Sequence, residues 1–322
     1  MIRSPGEATN AVPLLTRRDL LALAGAGALS GILSSCSPNV PESARIPPLA
    51  ELLERYASLG LTDVHNHGAS RGIAALRRLW ADYALGRVVL FGSVSEPQAV
   101  ADDERTWDAY LAHPELIVPF FSGIDLHDPA SLDVARERLE RGFVGVGEIA
   151  AASRSSPVVS GVAWKADHPL DGMLPPLYEL CAEFRAPLLL HIDPLSGATL
   201  ARLEEALDAH PRTTFIVAHV NAYTPSATAA TLLERHPNLY VDFFAGFSDH
   251  DADGRSFDDF VAIARAHPDR WLLGSDSGYG LESEAAALES MYRFLHLLGD
   301  DDLARRIAFE NFDGILARRR GD

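Results

Sequence analysis

Leu61-Thr62-Asp63-Val64-His65-Asn66-His67 sets Asp63, His65 and His67 two residues apart. In a β-strand, side chains alternate between faces, so all three are expected to project the same way. Two imidazoles side by side on one rigid strand suit a single ion, because neutral ring nitrogens are good donors to zinc and its neighbours. The alternative is a polar strand end whose histidines bond to backbone. What separates the two is whether the rest of the chain brings further ligands to the same end.

Outward from this stretch, apolar β-rich runs alternate with helical patterns, the signature of a parallel sheet with crossover helices. Strands are expected over residues 61–67, 87–92, 116–123, 143–149, 187–192, 213–220, 239–244 and 271–276, and a last helix over 301–318. Eight such units fit an α/β (β/α)8 TIM barrel occupying residues 49–322. His-Pro recurs at 113, 210, 236 and 267, each time shortly before a strand. These dipeptides read as helix terminators, because proline cannot continue a helix, and they lie at the end of the barrel away from any site.

Barrel active sites are built at the C-terminal ends of the strands. Strand 1 ends in His65 and His67, strand 4 delivers Glu148, strands 5 and 6 deliver His191 and His219, and strand 8 ends in Asp276. Each alone is compatible with a polar cap. Four histidines and two acids at one rim form a candidate metal site.

This order resembles the amidohydrolase superfamily of metal-dependent barrels. The opening Thr62-Asp63-Val64-His65-Asn66-His67 and the late Glu310-Asn311-Phe312 resemble its amidohydrolase-related branch in particular. The resemblance spans roughly residues 60–316 and implies that His65, His67 and Asp276 hold one metal, while His191 and His219 hold or face a second. The carboxylated lysine that bridges two metals in many members is excluded, since the chain's one lysine, Lys165, lies past the strand end. Glu148 stands in its place. The implied cofactor is divalent metal, zinc foremost with manganese, iron or cobalt open, as one ion or two. Asp276 would act as proton acceptor and His219 would polarise the carbonyl under attack. Asp63 is an outer-shell acceptor for the histidines or only a strand-edge carboxylate.

Substrate contacts are expected from the loops after the strands, the longest being residues 150–172. Arg154, Arg71 and Lys165 are candidates to pair with a substrate carboxylate, and Asn221, Asp242, Ser277 and Tyr279 also fall on this rim.

The N-terminus reads as a separate segment. Arg17-Arg18 precedes an apolar run, residues 20–33, too short to span a bilayer and suited to a signal-peptide core. The pair resembles a twin-arginine export signal. Leu33-Ser34-Ser35-Cys36 resembles a bacterial lipobox, with Cys36 lipidated. Residues 1–36 would be the signal and 37–48 a tether, anchoring the protein to the cell envelope by lipid alone. The one other cysteine, Cys181, sits in an apolar helical pattern and reads as a buried thiol. A formal net charge of −17 repels phosphate backbones, so the expected partner is a small molecule and not nucleic acid. That charge also disfavours the metal-dependent DNases that share the strand-4 glutamate. The leading expectation is a hydrolase of an amide, ester or lactone. The same strand-1 pair also serves metal-dependent decarboxylases of aromatic or unsaturated acids, and a non-catalytic lipoprotein that merely keeps the barrel is a third reading.

Overall fold

The computed structural model describes residues 46–250 and 257–321, all within one compact unit, Glu42–Asp322. The expected signal segment, Cys36 and most of the tether lie outside the described residues. Eight parallel strands run in order around a nearly closed barrel: β1 Leu61–Asn66, β2 Leu85–Leu90, β3 Ile117–Phe121, β4 Gly145–Ser153, β5 Leu188–Asp193, β6 Phe215–Val217, β7 Leu239–Phe243 and β8 Trp271–Leu273. The helices are α1 Leu49–Tyr56, α2 Ile73–Asp82, α3 Ala99–Ala112, α4 Ser131–Arg141, α5 Leu174–Phe184, α6 Gly197–Ala209 and α7 Val220–Tyr223. They continue as α8 Ser226–Arg235, α9 Ala245–His250, α10 Phe257–Ala266, α11 Glu284–Leu297, α12 Asp301–Arg305 and α13 Asn311–Arg320. The expected (β/α)8 barrel is the fold.

The ladder runs through seven parallel pairings from β1 to β8. The β8–β1 seam is closed by a side chain. Asp63 accepts hydrogen bonds from the Ser275 backbone N–H (2.8 Å) and hydroxyl (2.7 Å), clamping the end of β8 onto β1. Asp63 therefore does not reach the imidazole rings, and the outer-shell role weighed for it passes to other residues.

Inside the barrel, Val89, Phe91, Val118, Phe120, Leu189, Ile216 and Leu272 form an apolar plug that also contacts Phe312 and Ile315 of α13. Burying each large side chain stabilises by about 1.5–3 kcal/mol. Arg319 of α13 donates to the carbonyls of Leu139, Phe143, Val144 and Phe184, the segments that enter β4 and β5. Helix α13 thus covers the N-terminal end of the barrel and leaves the C-terminal end open.

Four elements depart from the expected pattern. Strand β4 extends through Ala150-Ala151-Ala152 to Ser153, because β5 continues beside it with Ser153 opposite Asp193. Strands β6 and β8 stop early, where His219 and Asp276 take left-handed backbone (φ 32° and 44°). The expected single last helix is broken by a π-helical turn, Arg306–Glu310, between α12 and α13.

Candidate metal centre

Four imidazoles and two carboxylates converge at the C-terminal ends of the strands. They fall into two triads, His65–His67–Asp276 and Glu148–His191–His219, with the offered ligand atoms of each triad within 4.8 Å of one another. In the first, the Nε2 atoms of His65 and His67 are 3.1 Å apart, and Asp276 Oδ1 lies 3.4 and 3.3 Å from them. Glu148 Oε2 stands 3.8 and 3.6 Å from the same two nitrogens. In the second triad Glu148 Oε1, His191 Nδ1 and His219 Nε2 form a triangle with sides of 3.0, 3.1 and 3.1 Å. One carboxylate thus offers an oxygen to each group.

The far nitrogen of each fixed ring decides what faces inward. His65 Nδ1 lies 2.7 Å from Asp242 Oδ2, His67 Nδ1 lies 2.5 Å from the Gly92 carbonyl, and His191 Nε2 lies 2.5 Å from Asp193 Oδ2. A proton on each of these nitrogens donates outward and leaves a lone pair aimed at the neighbouring ligands. Two lone pairs facing each other at 3.1 Å repel unless positive charge lies between them. The spacing suits a metal. A tetrahedron with edges of about 3.4 Å has its centre about 2.1 Å from each corner, the distance at which nitrogen and oxygen ligands hold zinc.

The field is equally selective for positive charge. Burial alone would push His65 down, but Asp276, Glu148 and Asp242 outweigh it and raise its pKa to about 10. His191 is likewise raised against its burial, to about 9, by Glu148 and Asp193. Burial opposes ionisation of Glu148 and Asp276, yet the imidazoles, His65 foremost, hold both below the ordinary carboxylate range. This cluster stabilises cations, whether protons on the rings or a metal among them.

Local backbone aims these groups. His219, Asp276 and Ser277 all have φ between 32° and 47°, a conformation that costs non-glycine residues about 1–3 kcal/mol and is typical of functional sites. The His219 N–H donates to Asp242 (3.1 Å) and the Ser277 N–H to Ser275 Oγ (3.1 Å), which hold those turns. Gly274 is required where β8 passes His65 and Asp242, since a Cβ there would collide with both.

Above the ligands opens a cavity of about 240 Å³. His67, Glu148, His191, His219 and Asp276 line its floor, together with Val94, Val158, Val159 and Val162, with Tyr223, Phe247 and Tyr279, and with the polar Arg71, Ser93, Glu96, Ser156 and Ser277. The family model for amidohydrolases matches residues 42–314. The chain belongs to the amidohydrolase family.

Solved structures similar to this amidohydrolase include an uncharacterized TIM-barrel protein from Bordetella bronchiseptica, at 18% identity over 84% of this chain and 92% of that one, TM-score 0.58. A 4-oxalomesaconate hydratase from Rhodopseudomonas palustris aligns at 13% identity over 81% and 97%, TM-score 0.55. A 2,6-dihydroxybenzoate decarboxylase from Rhizobium aligns at 13% over 80% and 99%, TM-score 0.53. At these identities the likeness is one of fold. No curated protein matches the sequence.

All six expected ligands of this amidohydrolase are brought together, and Tyr279 lines the cavity as expected. Three substrate candidates are placed elsewhere. Asp242 is buried behind His65 and spends one oxygen on that ring and on the His219 N–H. Asn221 donates to the Phe244 carbonyl and Ser248 hydroxyl and accepts from the Phe244 N–H, which ties α7 to the end of β7. Arg154 is exposed outside the cavity, where its backbone N–H bonds Asp193. Glu310 and Asn311 lie at the far end of the barrel, Asn311 donating to the carbonyls of Pro268 and Trp271. Cys181 is buried, and burial pushes its thiol up to about 12. Asp193 lies outside the expected ligand set, although its place two residues after His191 on one strand is a usable signal. Phe247 and Tyr223 gave none, because they sit on short helices without a periodic pattern.

Proposed function

We propose that this amidohydrolase is a metal-dependent hydrolase that cleaves an amide, ester or lactone of a small molecule, with zinc as its metal. The observation that carries the reading is Glu148, whose two oxygens face two separate donor groups side by side. A shared carboxylate of that kind suits a pair of ions, the arrangement used to clamp attacking and leaving oxygens in hydrolysis. His65, His67 and Asp276 would hold one ion and His191 and His219 the other. The bound metal supplies Lewis acidity, which lowers the pKa of a nearby water from about 16 to about 7.

Asp276 lines the cavity and is held below the ordinary carboxylate range by the surrounding imidazoles, which supports a role in which it would accept the proton of the attacking water and pass it to the leaving amine or alcohol. His219 commits Nε2 to the Glu148 triad, which favours ligation over polarising the carbonyl. Val94, Val159 and Phe247 exclude water around the reacting group. The test is metal analysis with hydrolysis assays on wild type and Glu148→Gln. About two equivalents in wild type, with at least one lost and kcat reduced at least about 100-fold in the variant, are expected. One equivalent unaffected by the substitution, or carbon dioxide released from carboxylated aromatics instead of hydrolysis, overturns the reading.

We also propose that the protein is exported and lipid-anchored to the cell envelope through Cys36. The order of Arg17-Arg18, the apolar run and Cys36 supports this. Cys36→Ala should move the protein from the membrane to the soluble fraction; retention in the membrane refutes the anchor.

A further inference from the structure

Among the described residues that line the cavity, Arg71 is the single arginine or lysine. Its guanidinium is loosely held. Nη1 donates to the Ser277 carbonyl at 3.3 Å and stands 3.7 Å from Glu284 Oε2, beyond hydrogen-bonding distance. The Glu284 side chain is buried and fixed. Its Oε1 accepts from Trp80 Nε1 (2.7 Å) and Asn66 Nδ2 (2.9 Å), while its Oε2 accepts no hydrogen bond. Glu284 therefore attracts Arg71 without consuming its donors, and most of the guanidinium fork stays unspent.

The surroundings point the same way. Arg71 also borders an outer groove of about 400 Å³ that carries Arg77 and Arg105. Arg105 is paired with Asp102, whereas Arg77 makes no hydrogen bond or ion pair among the described residues. In a chain of net charge −17, Arg71 and Arg77 are the cations an anion meets here, set against Asp108 in the groove and Glu96 in the cavity.

We propose that Arg71 holds a carboxylate of the substrate, so that the substrate class is a small amide, ester or lactone bearing a free carboxylate and an apolar body that lies against Val94, Val158, Val159 and Val162. The fork of a guanidinium matches a carboxylate in two parallel hydrogen bonds. The inference rests on the hydrolase reading for its scissile bond, but not for its anion site.

The test compares metal-loaded wild type, Arg71→Met and Arg71→Lys on N-acetyl amino acids with aliphatic side chains and on the matching N-acetyl amino amides. Wild type should favour the acids in kcat/KM. Arg71→Met should cut that preference about 10- to 100-fold, the worth of a charge-assisted hydrogen bond, and Arg71→Lys should restore part of it. Added salt should lower kcat/KM for the acids more than for the amides. An acid-over-amide preference unchanged in Arg71→Met overturns the proposal. If wild type hydrolyses neither series, the anion site is read without the scissile bond, by calorimetry with isovalerate. Binding at least about 10-fold weaker in Arg71→Met then supports it, and equal binding, as for a carboxylate held only by metal, refutes it.

Discussion

Three of the four imidazoles at the centre are aimed by a partner that the ligand pattern does not contain. His65 needs Asp242, His67 needs the Gly92 carbonyl, and His191 needs Asp193. Without those acceptors the rings could carry their protons on the inward nitrogen, and the lone pairs that a metal requires would be lost. The six candidate ligands were legible because each is a His, Glu or Asp within or just after an apolar strand pattern. Their supports were harder to read. A carboxylate such as Asp242 reads as a rim residue in sequence, and only the close passage of β8 at Gly274 shows that it is walled in behind His65. Asp242 also accepts the His219 N–H, so one oxygen fixes ligands on β1 and after β6 together. Asp242→Asn keeps the size of the side chain and removes its charge. Metal affinity, measured by competition with a chelator, should fall about 10- to 100-fold with the fold retained. An unchanged affinity would mean that the His65 ring is fixed by packing alone.

The strands and most helices followed from apolar runs and helical periodicity, and the (β/α)8 order from their alternation. The misread elements have different causes: β4 runs on because β5 pairs beside it, β6 and β8 stop where His219 and Asp276 turn left-handed, and the last helix breaks at a π-helical turn. Helix α3 shows a second kind of hidden link. Asp102 and Asp103 are both buried, and they accept from the N–H groups of Ser93, Ser122 and Gly123, which pins the helix to the segments following β2 and β3. Burial pushes Asp103 from an ordinary value near 3.8 up to about 7, against the pull of the Ser122 and Gly123 N–H groups and Arg138. Between those two values the folded protein holds a proton that the unfolded chain has released. Stability from this group is thus complete below about pH 4 and is lost as pH rises through 7, by up to about 1.4 kcal/mol per pH unit. Asp63, raised by burial to about 6, adds a slope of the same sign. The difference between wild type and Asp103→Asn isolates the Asp103 share. Urea midpoints from pH 4 to 8 should fall more steeply in wild type than in the variant, and parallel curves would show that Asp103 ionises freely in the fold.

On the scale of the whole barrel, the candidate ligands come from β1, β4 and β5 and from the turns after β6 and β8. Metal held there would join opposite sides of a sheet whose β8–β1 seam depends on Asp63 and Ser275. A ligand that binds only the folded state stabilises it by mass action, about 4 kcal/mol at a thousandfold excess over Kd. For a domain of this size, that corresponds to about 10 °C in Tm. Chelation should lower Tm by about that amount and added zinc should restore it, whereas His65→Ala should melt near the chelated protein and respond weakly to zinc. The gap should also depend on pH. In the chelated protein the protonated rings of His65 and His191, with pKa values near 10 and 9, stand in for the metal's charge. Both values lie above the ordinary histidine value of 6.5, so this compensation is complete below about pH 6.5 and vanishes as pH rises through 9 to 10. The carboxylates of Glu148, Asp276, Asp242 and Asp193 then face one another without a counter-charge. Thermal unfolding of chelated and zinc-loaded protein should therefore diverge further between pH 7 and 10. A Tm difference that is absent, or constant across that range, would mean that the six side chains hold the barrel together without a metal.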